Sequence, residues 1–173
     1  MKKKEEYVYH VDENNNVIGK VSRKEMRQKN LMHRSALILV FNSKGEILVH
    51  RRTLTKDIFP GYYAMFIGGT LSYGESYKQG ALRETKEEIG AKDVNPKFLF
   101  EYKFDNPKVT RVIYRVYELV YDKPLRFQKE EVQSGKFMQL ASLKKFMRKN
   151  NFCPDDVQVF NKYLKEFHGK EKK

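Results

Sequence analysis

Three glutamates in one segment of the chain could hold a metal ion. Glu84, Glu87 and Glu88 have helical spacing and, at ~100° per residue, fall within an arc of about 100°. Carboxylates this close repel one another, and a bound divalent cation relieves the repulsion. Hard oxygen ligands suit Mg²⁺ or Mn²⁺. The same pattern is also typical of a solvated acidic helix face with Arg83 and Lys86 as partners.

The opposite side of this segment is predicted to pack against the protein. Leu82, Thr85 and Ile89 lie on an arc roughly 140° from the glutamates. We therefore expect a helix with one packed face and one exposed carboxylate face. Gly90 is predicted to end the helix, since glycine readily adopts the left-handed conformation of a C-terminal cap.

The spacing around the glutamates resembles the Nudix box, G-x5-E-x7-R-E-U-x-E-E-x-G-U, in which U is apolar. All of its fixed glycine and charged positions are matched, by Gly69, Glu75, Arg83, Glu84, Glu87, Glu88 and Gly90. Thr85 and Ala91 depart from the pattern at apolar positions, and both are small enough to pack. A chance match at so many fixed positions is very improbable, so the resemblance favours the metal site over the solvated face.

The resemblance implies a fold and an activity. The fold is an α/β/α sandwich on a mixed sheet, with a loop-helix-loop catalytic motif. The activity is Mg²⁺-dependent hydrolysis of a diphosphate linkage, in a nucleoside diphosphate derivative or a similar organic diphosphate. Mg²⁺ would neutralise the phosphate oxygens and activate water, with Mn²⁺ as a substitute.

The resemblance also implies roles for individual residues. Glu84, Glu87 and Glu88 bind the metal, with help from a backbone carbonyl near Gly68 or Gly69. Arg83 orients the first of these glutamates, and Glu75 either supports Arg83 as its partner or itself takes part in binding the metal. These roles are expectations, and Glu84 and Glu88 are both candidates for the general base.

A wider similarity, over roughly residues 7–160, is to the Nudix branch that holds the type I isopentenyl diphosphate isomerases and related bacterial hydrolases. It rests on the segments 11–14, 31–34, 40–45, 51–52 and 56–61. In this branch a glutamate matching Glu131, with Glu130 as an alternative, reaches the metal as a ligand or as the general base. The isomerases need a cysteine and a histidine where this chain has Gly68 and Thr70, which favours a hydrolase.

Basic residues near the end of a predicted strand are candidates for phosphate binding. Arg51, Arg52 and Lys56 lead from this strand into a loop that the resemblance places over the box. A guanidinium can bind a phosphate through two hydrogen bonds, which suits this role. A solvated loop is the alternative for these residues. His33 is expected to be a packed or surface histidine rather than a ligand, and Cys153 a buried or capping residue.

The charge of the chain bears on its partners. It has 35 Lys and Arg against 22 Asp and Glu, a net charge of +13. Such a balance is typical of polyanion binders or of a lysine-rich surface, and it keeps an RNA substrate open. A non-catalytic nucleotide- or RNA-binding Nudix module is the alternative function. The intact set of Glu75, Glu84, Glu87 and Glu88 disfavours it.

Length and composition predict a single domain over residues 1–173. Hydrophobic residues make up 40% of the chain, and its one cysteine excludes an intramolecular disulfide or a thiolate zinc cluster. No apolar run is long enough to span a membrane, so we expect a cytoplasmic protein without a membrane partner. The lysine-rich tails, residues 1–6 and 169–173, are expected to be disordered.

The remaining patterns predict the elements around the box. Short β-type runs flank an Asn-rich turn at the start, Ser22 caps a first helix, Ser142 caps a later one, and Pro154 opens the last. Strands are predicted over residues 7–11, 17–21, 35–41, 46–51, 62–67, 97–104 and 110–120. The mixed order of strands and helices independently favours an α/β/α sandwich.

Overall fold

A computed structural model of the protein describes residues 5–168. The strands are β1 (Tyr7–Val11), β2 (Val17–Ser22), β3 (His33–Phe41), β4 (Ile47–Arg52), β5 (Tyr63–Ala64), β6 (Phe66–Thr70), β7 (Lys97–Asn106), β8 (Thr110–Val120) and β9 (Val132–Met138). The helices are α1 (Arg23–Gln28), α2 (Tyr77–Ile89), α3 (Leu140–Met147) and α4 (Pro154–Tyr163), followed by a π-helical turn (Leu164–His168).

Seven of these strands form a mixed sheet, and β1 and β2 form a separate hairpin, as predicted. The sheet has the order β5-β4-β3-β8-β7, with β6 paired to β3 and β9 paired to β4. The long strand β3 runs parallel to β8 and antiparallel to β6. This central strand is buried along most of its length, as its continuous apolar run predicted.

Helices cover both faces of the sheet. On one face, Ile38 and Val40 of β3 pack in a cluster with Ala81 and Ile89 of α2. On the other, alternate residues of the same strand, including Leu37, pack with residues of α3 and α4. The predicted α/β/α sandwich on a mixed sheet is confirmed.

Two element predictions were wrong in detail, and one strand was missed. The strand predicted over residues 62–67 is interrupted at Met65, because Asp156 of α4 accepts hydrogen bonds from the backbone amides of Met65 (2.7 Å) and Phe66 (3.3 Å). Helix α3 begins at Leu140 with Gln139 as N-cap, so Ser142 lies inside the helix instead of capping it. Strand β9 was not predicted at all. The cap predicted for α1 is confirmed, since Ser22 Oγ accepts from the Glu25 amide at 3.1 Å.

The predicted disorder of the tails falls mostly outside the described residues. Glu5 and Glu6 lie within them, and the Glu6 carbonyl accepts a hydrogen bond from the Arg23 amide at 2.7 Å. Within residues 5–168, no helix is both long and apolar enough to cross a membrane.

Candidate active site

Helix α2 carries the acidic residues of the site and has a defined start and end. Ser76 is its N-cap, and Ser76 and Gln79 exchange side-chain-to-backbone hydrogen bonds in a capping box. Gly90 is its C-cap, with a φ of 73°, and its amide bonds back to the Lys86 carbonyl at 3.2 Å. The helix therefore ends at Gly90 as predicted, because this left-handed conformation disfavours residues with a side chain.

The glutamates of α2 do not form the exposed face that the helical pattern predicted. Glu84 and Glu88 are only 8% and 6% exposed, whereas Glu87 lies at the surface. The cause is the neighbouring strand β6, which meets α2 with glycines at positions 68 and 69. Because β6 has no side chains at these two positions, α2 lies close to the strand, and the carboxylates of Glu84 and Glu88 are buried between them.

The backbone at the two glycines leaves no room for a side chain. A Cβ on Gly69 would lie 2.5 Å from Glu84 Oε1. A Cβ on Gly68 would lie 2.0 Å from the carbonyl oxygen of Ala36 on β3, and its φ of +152° already favours glycine. Gly69 therefore makes space for a carboxylate, and Gly68 makes space for the pairing of β6 with β3.

Arg83 connects the acidic residues. Its Nε and Nη2 donate to the two carboxylate oxygens of Glu75 at 2.8 and 3.0 Å. Its Nη1 donates to Glu84 at 2.7 Å and to Glu87 at 3.1 Å, and Nη2 also reaches the Thr70 carbonyl at 3.2 Å. One guanidinium thus holds three carboxylates in a fixed arrangement. The two parallel hydrogen bonds to Glu75 fix the orientation of the guanidinium itself.

Lys56 lies between the box and a second acidic segment. It forms an ion pair with Glu131, on the turn that leads into β9. The Glu131 carbonyl accepts from the Thr53 amide at 3.1 Å, which ties this turn to the loop after β4. Burial lowers the pKa of Lys56 to about 8, with Arg52 acting in the same direction and Glu88 and Glu84 opposing them. The structure thus brings Glu131 and Lys56 together beside the box.

The two consecutive arginines at the end of β4 have different surroundings. Arg52 donates through Nη2 to the Ile58 carbonyl at 3.0 Å and lines a cleft. Arg51 instead donates to the Gly61 carbonyl at 3.1 Å and faces the ring of Tyr63. Successive strand residues point to opposite faces, so Arg51 lies outside the cleft and the prediction that it binds phosphate loses its support.

The cleft beside the box has a volume of about 1720 Å³. Lys56, Arg52, Glu130 and Glu131 line it. Its other walls come from the N-terminal hairpin, α1 and the loop of the box. The lining residues that sequence analysis did not identify include Tyr7, Lys20, Arg23, Arg27 and Tyr73. The spacing of Arg23 and Arg27, one helical turn apart, was the signal available for the α1 wall.

Two residues that were not expected to be ligands, His33 and Cys153, are buried. His33 is 2% exposed, and its Nδ1 lies 3.0 Å from the Leu31 carbonyl. Burial lowers the pKa of His33 to about 3, so the ring is neutral at physiological pH. Cys153 is 3% exposed at the N-cap of α4, and burial raises the pKa of its thiol. Neither side chain is among those that line the cleft.

Comparison with known proteins agrees with the geometry of the site. The NUDIX domain family matches residues 31–160. The chain belongs to the Nudix family. An uncharacterized Nudix hydrolase of Pseudomonas aeruginosa is 37% identical over 159 residues, which cover 92% of this chain and 94% of the relative. The Nudix hydrolase YfcD of Escherichia coli, also uncharacterized, is 33% identical over 164 residues, covering 92% and 87%.

Solved structures show the same Nudix fold. A crystal structure from Deinococcus radiodurans aligns with a TM-score of 0.78 at 22% identity, covering 91% of this chain and 98% of that one. The Nudix domain of Shewanella oneidensis NrtR, solved in complex with ADP ribose, aligns with a TM-score of 0.63 at 14% identity, covering 84% and 98%. Family membership makes this protein a Nudix-type pyrophosphohydrolase.

The chemistry of the Nudix site suits a divalent cation. Burial raises the pKa of Glu88 to about 8, the charge of Glu84 adds to the shift, and Lys56 and Arg52 oppose it. Burial also raises the pKa of Glu84, against the opposing effect of Arg83. Buried carboxylates that resist ionisation are stabilised in their charged form by a bound cation.

The predicted trio of ligands is not arranged as a ready-made metal site. Within residues 5–168, no group of three His, Cys, Asp or Glu side chains has a geometry that could hold a metal ion. The reason is visible in α2, where Glu87 turns outward and pairs with Arg83. Glu84 and Glu88 remain on the buried side of the helix.

The raised pKa of Glu88 predicts a pH-dependent stability. The folded state holds this proton more tightly than the unfolded chain, whose glutamates titrate near 4.5. The stabilisation is complete below pH ~4.5 and is lost as the pH rises toward 8. In EDTA, the free energy of unfolding of Glu88→Gln should therefore exceed that of wild type by at least about 1 kcal/mol at pH 8. The difference between the two proteins should be much smaller at pH 5.

Urea unfolding at the two pH values measures this effect. Other buried groups titrate in both proteins, so the difference between wild type and Glu88→Gln reports the carboxylate of Glu88 together with its interaction with Glu84. Glu87→Gln, at the surface of the same helix, is the matched control and should not show this pH-dependent gain. A constant difference between wild type and Glu88→Gln from pH 5 to 8 would contradict the prediction.

Proposed function

We propose that this Nudix enzyme hydrolyses a diphosphate linkage in a nucleoside diphosphate derivative or a similar organic diphosphate, using Mg²⁺ and accepting Mn²⁺ as a substitute. The observation that carries the proposal is the buried pair Glu84 and Glu88, set beside Lys56, which lines a large cleft together with Arg52. The carboxylates supply ligands for a hard cation, and the cleft supplies cations for phosphate.

The acidic residues of the site would hold the metal and accept a proton from water. Glu84 and Glu88 hold the metal, with Glu87, Glu131 and the backbone carbonyl of Gly68 as further ligands. When bound, the metal neutralises phosphate oxygens and polarises the attacking water. Glu84, Glu88 or Glu131 accepts the proton of that water.

Two arginines and a lysine act through charge and position. Arg83 keeps Glu84 aligned by a 2.7 Å hydrogen bond, and it is itself held by Glu75. Arg52 and Lys56 bind the phosphate oxygens of the substrate. Lys56 is paired with Glu131, so phosphate binding would exchange one anionic partner of Lys56 for another.

The substrate class is supported by the size of the cleft and by the cations Arg52 and Lys56 in its wall. The Nudix domain of Shewanella oneidensis NrtR, which shares the fold, was crystallised with ADP ribose, a nucleoside diphosphate derivative. A panel of nucleoside diphosphate sugars, dinucleoside polyphosphates, capped RNA and prenyl diphosphates, assayed for released products with and without Mg²⁺, tests the proposal. Failure to cleave any of these compounds would count against it.

Arg52, at the end of β4, and Lys56, in the loop that follows, should contribute to substrate binding and not to folding. Replacing both Arg52 and Lys56 by alanine should lower kcat/KM by at least about tenfold, which is ~1.4 kcal/mol of transition-state stabilisation. A cation that is sheltered from solvent stabilises a bound phosphate more than an exposed cation does, since exposed ion pairs usually contribute only ~0–1 kcal/mol. Steady-state kinetics at low and moderate salt measures the effect, since salt screens exposed contacts more strongly.

The control for this pair is Lys129→Ala, which removes an exposed charge from the neighbouring turn. It should leave kcat/KM within twofold of wild type, because the interactions of exposed charges usually contribute only ~0–1 kcal/mol. Unchanged kcat/KM for the double variant at both salt concentrations would mean that the two cations belong to a solvated loop.

Isomerase activity is disfavoured by the backbone at the position where the related isomerases carry cysteine. Gly68 has no room for a side chain, because a Cβ would lie 2.0 Å from the Ala36 carbonyl oxygen. Cys153 is buried at the start of α4 and cannot replace the missing thiol without rearrangement. We expect no conversion of isopentenyl diphosphate to its allylic isomer. Detection of that product by NMR above a no-enzyme control would overturn this expectation.

A further inference from the structure

The loop between β6 and α2, residues 71–76, is bound to the N-terminal hairpin by hydrogen bonds. The Tyr73 amide donates to the Tyr7 carbonyl of β1 at 2.8 Å. The next amide of the loop, that of Gly74, donates to the hydroxyl oxygen of Tyr9 at 2.9 Å. Two consecutive amides of this loop therefore take their hydrogen-bond partners from β1.

Packing brings the same two segments together. Val8 is 2% exposed and pairs with Ser72 of the loop in an isolated antiparallel bridge. The ring of Tyr9 lies against the ring of Tyr73, with 4.9 Å between their centroids. Strand β1 thus lies along the loop as a short extra strand, with its backbone and its side chains both in contact.

The hairpin is anchored to the rest of the protein by contacts that do not involve this loop. At its turn, Arg34 of β3 donates through Nε to Asn15 Oδ1 at 2.7 Å and through Nη2 to the Asn15 carbonyl at 2.6 Å. At the end of β1, the Val11 amide donates to the Met32 carbonyl at 3.0 Å. Because the hairpin is fixed at these points, it supports the loop and does not depend on the loop for its own position.

The loop leads directly into the hydrogen-bond network of the site. Glu75 follows Gly74 in the chain, and its Oε2 accepts from the Ser72 amide at 3.0 Å. The two carboxylate oxygens of Glu75 also hold Arg83, which donates to Glu84 at 2.7 Å. A connected path therefore runs from β1 through the loop and the guanidinium to a buried carboxylate of α2.

Tyr9 supports this path without being part of the cleft. Tyr7 and Lys20 of the hairpin line the cleft, whereas Tyr9 is not among the lining residues. Removal of the Tyr9 hydroxyl therefore changes the support of the loop without removing a contact to a ligand in the cleft. Positioning and binding can be measured separately at this residue.

We propose that Tyr9 is a positioning residue for the hydrolytic site, which makes the N-terminal hairpin part of the catalytic apparatus. By holding the Gly74 amide, Tyr9 fixes the backbone that carries Glu75, and Glu75 fixes the guanidinium that aligns Glu84. Small displacements of catalytic groups lower the rate even when the fold is intact. The inference rests on the proposed hydrolase function and extends it to a segment that precedes residues 31–160, which match the Nudix family.

A purely structural role for Tyr9 is the competing explanation. The guanidinium of Arg34 lies over the Tyr9 ring, 4.9 Å from its centroid, so the ring alone contributes to packing. If packing is the whole role, loss of the hydroxyl lowers at most the melting temperature. It then changes neither the turnover of the folded enzyme nor the environment of Arg83.

The variant Tyr9→Phe separates the two explanations, because it removes the hydroxyl and keeps the ring. We expect kcat on the best substrate of the panel to fall by at least about fivefold and KM to stay within about twofold of wild type. Tyr102→Phe is the matched control. The Tyr102 hydroxyl donates a 2.9 Å hydrogen bond to Gln158, and its ring packs on the sheet face opposite α2. Its loss should leave kcat unchanged.

Proton exchange at Arg83 Nε tests the path without requiring turnover. This N–H donates to Glu75 at 2.8 Å, and its signal in ¹⁵N NMR of the metal-free protein is assigned by its disappearance in Arg83→Met. Tyr9→Phe should speed the exchange by at least about threefold, because a looser loop opens this hydrogen bond more often. Tyr102→Phe should leave the exchange rate unchanged.

A double-mutant cycle tests whether the effect of Tyr9 runs through Glu75. In a Glu75→Gln background, Tyr9→Phe should change kcat by less than about twofold, since the link between the loop and the guanidinium is already broken. A fall in kcat as large as the one in the wild-type background would overturn the proposed path.

The remaining outcomes separate this inference from the proposed function. In a protein that cleaves the panel, an unchanged kcat or an unchanged Arg83 exchange rate in Tyr9→Phe would retain the hydrolase and return Tyr9 to a structural role. Faster exchange in Tyr9→Phe of a protein that cleaves none of the panel would retain the path from β1 to Arg83 and reject the hydrolase proposal.

Discussion

Glu88→Gln should lose at least about 10²-fold in kcat while keeping its fold, because general-base or metal-ligand roles are typically worth ~10²–10⁴ in rate. The substitution keeps the shape of a side chain that is 6% exposed and removes the charge that a cation needs. It removes a carboxylate that is costly to ionise, so the metal-free protein should be at least as stable as wild type.

Single-turnover and steady-state kinetics on the best substrate of the panel measure this loss, with thermal unfolding of the same preparations. Glu13→Gln is the control, since Glu13 is an exposed glutamate away from α2. It should retain full activity. A Glu88→Gln protein that melts like wild type and keeps more than about a third of its activity would show that the site is assigned wrongly.

Arg83→Met is the second variant with a large expected effect. It leaves Glu84 buried without its 2.7 Å partner and frees Glu75 and Glu87 from their ion pairs. We expect kcat/KM to fall by at least about 10²-fold, because the carboxylates lose their alignment. We also expect the free energy of unfolding to fall by roughly 1–3 kcal/mol, the usual cost of a buried polar group left unsatisfied.

Two further variants separate alignment from simple loss of charge. Lys86→Met removes an exposed positive charge from the same helix and should change neither quantity measurably. The double variant Glu75→Gln, Arg83→Met should be no less active than Arg83→Met alone, because the role of Glu75 is to hold the guanidinium. Additive losses in the double variant would assign Glu75 a separate function.

The position of helix α2 was predictable, whereas the burial of its carboxylates was not. The sequence pattern located the end of α2 at Gly90, because a helix C-cap depends on local backbone geometry, and the resemblance to the Nudix box indicated the partners of Arg83. The burial of Glu84 and Glu88 depends on β6, where Gly68 and Gly69 let the helix approach. A helical projection contains no information about the strand across from it.

Long-range pairing explains the other differences between sequence and structure. Strand β9 has polar residues and a glycine in its middle, from Gln133 to Lys136, and is held by β4, which lies about eighty residues earlier in the chain. The break at Met65 depends on Asp156, from a helix near the end of the chain. Arg27 was overlooked because a cation on a short helix is informative only once its neighbours in the cleft are known.

The most direct test of the central claim is hydrolysis in H₂¹⁸O followed by ³¹P NMR of the products. The account predicts that, with Mg²⁺ present, one phosphate product of the cleaved diphosphate carries a single ¹⁸O atom from the attacking water. Without metal, or with Glu88→Gln, labelled product should fall by at least about 10²-fold. Absence of labelled product from every diphosphate of the panel, with Mg²⁺ and with Mn²⁺, would contradict the account.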